Sequence, residues 1–322
     1  MRPSHLSFLP RVVALVSIML FGGACAGPGV EKIPEPAGPP ARVVAIGDLH
    51  GDLEAARAAL RLAGAIDEQD LWIGGELVVV QTGDILDRGD QEEAIMDLFQ
   101  RLRVEAGQAG GAVHFLNGNH ELMNVYLDFR YVTEGGFADF EGAVDTGPDV
   151  VEPTVVEPTD SVLASLEPAQ RPRAAAFRPG GPIARLLAER TLSVIVGTSL
   201  FVHGGILPEH VDLGLDSMDA EVKAWLLDEA PQPEWIRGDR SPVWTRLYSS
   251  EPDMAACDTL SLVLDRLGVE RMVVGHSVKS TGITSYCGGQ VWCIDVGMAA
   301  HYGGRPEVLE IRGDRVRGLR RR

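Results

Sequence analysis

Histidine, aspartate and asparagine recur beside glycine in this 322-residue chain, each time at the end of a short apolar run. "GDLHGD" (Gly47–Asp52) follows Val43–Ile46, and "GDILDRGD" (Gly83–Asp90) follows Leu77–Gln81. "GNHE" (Gly118–Glu121) comes after Val113–Leu116, His203-Gly204-Gly205 closes Ser199–His203, and Gly275-His276 follows Met272–Val274. A carboxylate and an imidazole one residue apart at a strand end can point into one crevice, which suits a hard-to-borderline divalent cation. On its own, Asp48 would read as the cap of a helix beginning near Asp52. Five such strand ends tip the balance toward chemistry. Histidines that only pack a core would not each stand next to a glycine, the residue that lets a backbone turn sharply and approach a crowded centre.

The elements that must deliver these side chains alternate. Strand-like runs at Val43–Ile46, Leu77–Gln81, Val113–Leu116, Ser193–Val196, Ser199–His203, Met272–Val274 and Val291–Asp295 are separated by helical patterns. Helices are predicted over Leu53–Ala63, Glu92–Arg103 and Asp258–Gly268, the last closed by its glycine. This alternation predicts an α/β sheet protein. Open α/β sheets bind ligands at the carboxyl ends of their strands, which is where the motifs fall.

In that order the blocks resemble the calcineurin-like metallophosphoesterases, specifically the phosphoprotein-phosphatase type. "DFRYV", "PVWTR" and "DVGM" are similar to the Shewanella-like protein phosphatases, and the resemblance runs from Arg42 to Gly304. It implies an α/β sandwich of two mixed sheets flanked by helices, hydrolysing phosphomonoesters at two divalent ions (Mn, Fe or Zn, with manganese the first expectation). Residue by residue, it implies that Asp84 bridges the ions. Asp48 and His50 complete the first site; Asn119, His203 and His276 complete the second. His120 would protonate the leaving group, with Asp87 holding its tautomer, while Arg88 and Arg246 bind phosphate. Glu121 is expected to orient an arginine, and Arg130 stands open between substrate and surface. Two departures leave Ser/Thr, Tyr and small-molecule phosphoesters open as substrates: Asn117 precedes GNHE where Ser/Thr phosphatases carry arginine, and "IDVGMAAHYGG" replaces the SAPNY loop. A nucleotide or dinucleoside-polyphosphate hydrolase is the alternative activity. A binding protein with a vestigial site would need none of the acid–base residues.

The net charge of −17 argues against a nucleic-acid partner, because duplex binding requires a basic footprint. Residues 1–25 read as a signal peptide: Arg2 and Arg11 bound a polar start ahead of the apolar stretch Val12–Phe21, and Cys25 after small residues resembles a lipoprotein cleavage site. The expectation is an exported periplasmic or cell-envelope lipoprotein, with possible membrane anchoring through lipid on Cys25. A Pro/Gly linker (26–41) leads to a phosphoesterase domain (42–311), interrupted by an acidic, Pro-rich insertion (134–173) expected to be flexible at least in part, and followed by a basic, solvated tail (312–322). An oxidising compartment allows one disulfide among Cys257, Cys287 and Cys293, with the pairing open. "GGQVW" between the last two reads as a hairpin.

Overall fold

The computed structural model describes residues 40–142 and 161–321. The signal peptide, most of the linker and the centre of the insertion (143–160) lie outside the described residues. Two five-stranded mixed sheets form the core. The first has the order β10-β9-β1-β2-β3, built from β1 (Val43–Ile46), β2 (Val78–Gln81), β3 (Ala112–Phe115), β9 (Glu307–Arg312) and β10 (Arg315–Arg320). The second, β4-β5-β6-β8-β7, comprises β4 (Ser193–Val196), β5 (Ser199–Val202), β6 (Arg271–Val274), β7 (Thr284–Tyr286) and β8 (Val291–Cys293). Strands β1, β2 and β3 are mutually parallel, as are β5, β6 and β8.

Alternation along each strand explains the sandwich. Val43 and Ala45 of β1 face inward with Val78, Val80, Phe201 and Val273, joining the two sheets. Val44, Ile46 and Val79 turn the other way, against α1 (Leu53–Ala63) and α2 (Glu92–Gln108). Strands β1, β2, β5 and β6 are buried along their whole length because both of their faces are covered. Shorter helices follow: α3 (Asn119–Val125), α4 (Glu134–Asp139), α5 (Ser161–Ser165), α6 (Arg171–Phe177), α7 (Pro182–Leu187) and α8 (Pro208–Leu213). Two longer ones, α9 (Leu215–Leu226) and α10 (Met254–Leu267), complete the set, and Leu260, Val263 and Leu264 of α10 cover the outer face of the second sheet.

One expectation changes here, and two open points are filled in. The basic tail is a strand: β10 pairs antiparallel with β9, and Glu310 of β9 bonds both Arg317 and Arg42. Cross-strand ion pairs give those arginines partners that a solvated tail would lack. The described flanks of the insertion are helical, and α6 sends the fully buried Arg173 inward. Among the cysteines, Cys257 of α10 pairs with Cys287 after β7, with 5.3 Å between Cα atoms, while Cys293 is a buried free thiol. β7 and β8 do form a hairpin, so Cys287 and Cys293 sit at positions that cannot meet.

Candidate active site

Every parallel strand ends in a loop that carries part of one buried cluster. Asp48 and His50 leave β1; Asp84, Asp87 and Arg88 leave β2; Asn119 and His120 open α3 directly after β3. His203 follows β5, and His276 follows β6. Backbone conformation marks these loops as functional. His50, Asp84, Asp87, Arg88 and His276 all take positive φ, at 44°, 57°, 66°, 69° and 65°. For non-glycine residues that conformation costs on the order of 1–3 kcal/mol and persists only where the surroundings impose it. Two glycines are required by close approach. A Cβ on Gly118 would lie 2.2 Å from Asp84 Oδ1, and one on Gly275 would lie 2.4 Å from Asp48 Oδ1.

Asp84 is the hub. Its Oδ2 lies 3.1 Å from His203 Nε2, 3.9 Å from His50 Nε2 and 3.8 Å from His120 Nε2. His203 Nε2 also stands 2.9 Å from Asn119 Oδ1 and 3.1 Å from His276 Nδ1. Two groups of metal-competent side chains share this aspartate: His50, Asp84 and His120 on one side, and Asp84, His203 and His276 on the other. Asp48 Oδ2 lies 3.9 Å from His50 Nε2, so the sequence-predicted donors all converge, with His120 among them. The ring nitrogen of each donor histidine that faces away from the centre is already engaged. His50 Nδ1 meets Leu86 O at 3.0 Å, His203 Nδ1 meets Thr82 O at 2.9 Å, and His276 Nε2 meets Trp244 O at 3.1 Å. Those bonds fix the tautomers that leave a lone pair for a cation.

Charge in the cluster calls for such a cation. Burial, followed by the neighbouring His120, lowers the His50 pKa to about 3; burial and His203 bring His276 to about 2, so both rings are neutral. Burial also opposes ionisation of Asp84, but His203 and His120 outweigh it and hold the carboxyl well below its usual range. Asp48 is raised well above normal by burial and by its carboxylate neighbours Asp295 and Asp84, and burial pushes Asp295 up to about 6. Three crowded carboxyl groups, neutral imidazoles and an amide oxygen, with no thiolate, make an oxygen–nitrogen donor set that fits divalent Mn, Fe or Zn.

His120 also faces a carboxylate on its other side. Its Nδ1 lies 2.5 Å from Asp87 Oδ2, and its backbone N–H donates to Asp84 Oδ1 at 3.0 Å. Burial lowers its proton affinity, yet Asp84 and Asp87 raise the net pKa. Arg88 sits at the mouth, its guanidinium 4.3 Å from the Tyr131 ring centre, 5.4 Å from that of Tyr302, and 3.3 Å from His301 Nε2. Its buried Nε has no partner among the described residues. Arg246 is exposed, close enough to help disfavour protonation of His276.

Glu121 differs from expectation. It serves the backbone, not an arginine, accepting from the N–H groups of Asp84 and Ile85 at 2.8 Å and of Gly118 at 2.7 Å. The turn after β2 therefore hangs from the start of α3. Arg130 is exposed and forks onto Asp128. Residues that spacing had not flagged are Asp295 at the end of β8, the two tyrosines, His301 and the buried trio Glu92, Asn124 and Arg173. Of these only Asp295 carried a readable sign, an acid closing an apolar run like the others.

Residues 41–280 match the calcineurin-like phosphoesterase family. The chain is 41% identical over 301 residues to Shewanella-like protein phosphatase 2 of Arabidopsis thaliana, covering 85% of this chain and 76% of that one. Its fold matches the crystal structure of a point mutant of a cold-active protein tyrosine phosphatase with a TM-score of 0.71, at 25% identity over 89% of this chain and 81% of the other. A cold-active protein-tyrosine phosphatase from a psychrophilic Shewanella species gives 0.67 at 26% identity, over 86% and 77%. Similarity of this extent, on a fold whose strand ends gather these donors, makes the chain a member of the calcineurin-like phosphoesterases and a metal-dependent phosphatase.

Proposed function

We propose that this phosphatase acts on phosphoproteins and favours phosphotyrosine. The observation that carries the reading is Arg88 held between the rings of Tyr131 and Tyr302 directly above the buried donors. A phosphate bound by Arg88 and Arg246 would set a phenyl ring among those aromatics. The two structural neighbours are protein tyrosine phosphatases, in line with this reading. Asp48, His50 and Asp84 would hold one divalent ion; Asp84, Asn119, His203 and His276 would hold the other. Such a pair supplies Lewis-acid polarisation of the phosphoryl group and acidifies water at neutral pH. His120 then donates from Nε2 to the leaving oxygen while Asp87 holds the proton on Nδ1.

The cleft of about 980 Å³ outside Arg88 is bordered by Asp52, Asp90 and Glu134, an unfavourable wall for the extra phosphates of a nucleotide. Peptides of one sequence carrying phosphotyrosine or phosphoserine, with ATP as a third substrate, test the proposal. The expected kcat/KM favours phosphotyrosine by at least about tenfold, from ring contacts and a less basic leaving group. Tyr302→Ala should cost about 2–10-fold on phosphotyrosine, in line with about 0.5–1.5 kcal/mol for an aromatic pair, and less on phosphoserine. Faster turnover of phosphoserine or ATP overturns the reading.

Export is part of the same proposal, supported by the apolar stretch between Arg11 and Gly22 and by the Cys257–Cys287 bond, which suits an oxidising compartment. Expressed in a Gram-negative host, the protein should be recovered shortened in the envelope fraction with this disulfide formed, and Cys25→Ala should release it from membranes. Cys287→Ser should then cost about 3–4 kcal/mol, the chain-entropy value for a loop of this length. Recovery of full-length reduced protein from cytosol alone rules export out.

A further inference from the structure

Among the described residues Arg173 is the largest fully buried side chain, yet it comes from the end of the acidic insertion, a segment with no catalytic motif. A guanidinium taken wholly out of water persists only when its donors are met. Here Nε donates to Asn124 Oδ1 at 2.7 Å, Nη1 donates to Gly136 O at 2.7 Å and to Glu92, and Nη2 reaches Asp87 Oδ1 at 3.3 Å. The rings of Phe140 and Phe177 lie 4.9 and 4.8 Å away. Asn124 passes the contact on, its Nδ2 donating to Asp87 Oδ1 at 2.9 Å and to His120 O at 2.9 Å. Glu92 accepts the backbone N–H of Asp87.

From this geometry we infer that Arg173 is a positioning residue for the leaving-group acid: with Asn124 and Glu92 it locks the Asp87 carboxylate so that the His120 ring is aimed at the reacting oxygen. The inference rests on the proposed role of His120. One Asp87 oxygen, Oδ1, is held by Asn124 and Arg173, which leaves Oδ2 facing His120 Nδ1 at 2.5 Å. Fixing one oxygen fixes the plane of the carboxylate, and the plane fixes the imidazole. Without the guanidinium, Asp87 and Glu92 would be two buried acids with no cation between them. Either the pair would take up a proton or Asp87 would turn, and both weaken its hold on Nδ1–H. Metal donors and Arg88 make no bond to Arg173, so loss of aim should appear only where a proton is needed.

The test compares wild type, Arg173→Met, Arg173→Lys and His120→Asn on nitrophenyl phosphate, a phosphotyrosine peptide and a phosphoserine peptide, with metal content and melting temperature recorded. Arg173→Lys keeps the charge without the fork, and so keeps the question open to measurement if Arg173→Met does not fold. The expected result is a graded loss of kcat in the folded Arg173 variants. It should be about tenfold or more on phosphoserine, smaller on phosphotyrosine and least on nitrophenyl phosphate, within the range of about 10²–10⁴ that general acids supply. KM for nitrophenyl phosphate and the metal content should match wild type. An equal loss on all three substrates, or no loss, with His120→Asn still graded, overturns the positioning role and leaves Arg173 as a packing residue. If His120→Asn itself shows no grading, the acid assignment fails and the inference fails with it.

Discussion

Asp84→Asn is expected to abolish turnover and to strip metal from the protein while leaving the fold intact. Asparagine has the same shape, and the amide oxygen can still accept the His120 N–H that Asp84 Oδ1 accepts at 3.0 Å. Its charge is gone, however, at the one position within 3.9 Å of His50, His120 and His203 alike. Every other donor belongs to one side of the cluster. A neutral residue at the shared position should weaken both metal sites at once. Metal stabilisation of the transition state is worth several kcal/mol, so kcat should fall by about 10³-fold or more at 1.36 kcal/mol per decade. Elemental analysis of the purified variant beside its kinetics decides the matter. Wild-type turnover with full metal content would mean that Asp84 does not bridge a dinuclear centre.

The second large effect is expected for His120→Asn, and it depends on the substrate. A nitrophenolate departs without help, a serine alkoxide needs a proton as the P–O bond breaks, and a tyrosine phenolate, with a pKa of about 10, falls between. The His120 ring has the geometry for that donation, with Nδ1 engaged by Asp87 and Nε2 turned toward the centre 3.8 Å from Asp84. The loss should therefore reach about 10²–10⁴-fold on phosphoserine and shrink toward nitrophenyl phosphate. His120 also stands among the side chains grouped around the first candidate ion, so metal content must be measured in the same preparations. A uniform loss accompanied by loss of metal would make His120 a ligand and not an acid.

The donor cluster was legible in the sequence because each of its pieces is local. A strand end, a glycine and a metal-type side chain lie within a few residues of one another, and the positive-φ turns that aim Asp48's neighbour His50, Asp84 and His276 are encoded in those same residues. The apolar runs located seven of the ten strands. Strands β9 and β10 were lost among the charges of the C-terminal segment, since "EIRGDRVRGLRR" turns into an edge hairpin only when Glu310 neutralises Arg42 and Arg317 across the sheet.

What tertiary structure alone decided lies between residues far apart in the chain. Arg173 reaches Asp87 across 86 positions, and His276 N–H reaches Asp48 across 228. Cys257 chooses Cys287 because helix α10 lies over the second sheet beside the β7–β8 turn, a proximity no cysteine spacing contains. Tyr131 and Tyr302 likewise meet Arg88 from separate loops. Local sequence dictates the backbone turns that present each donor, because sterics at a glycine or a strand end act over a few bonds. Which buried charge meets which counter-charge is settled only when packing removes water, and that selection acts on neighbours in space whatever their distance along the chain.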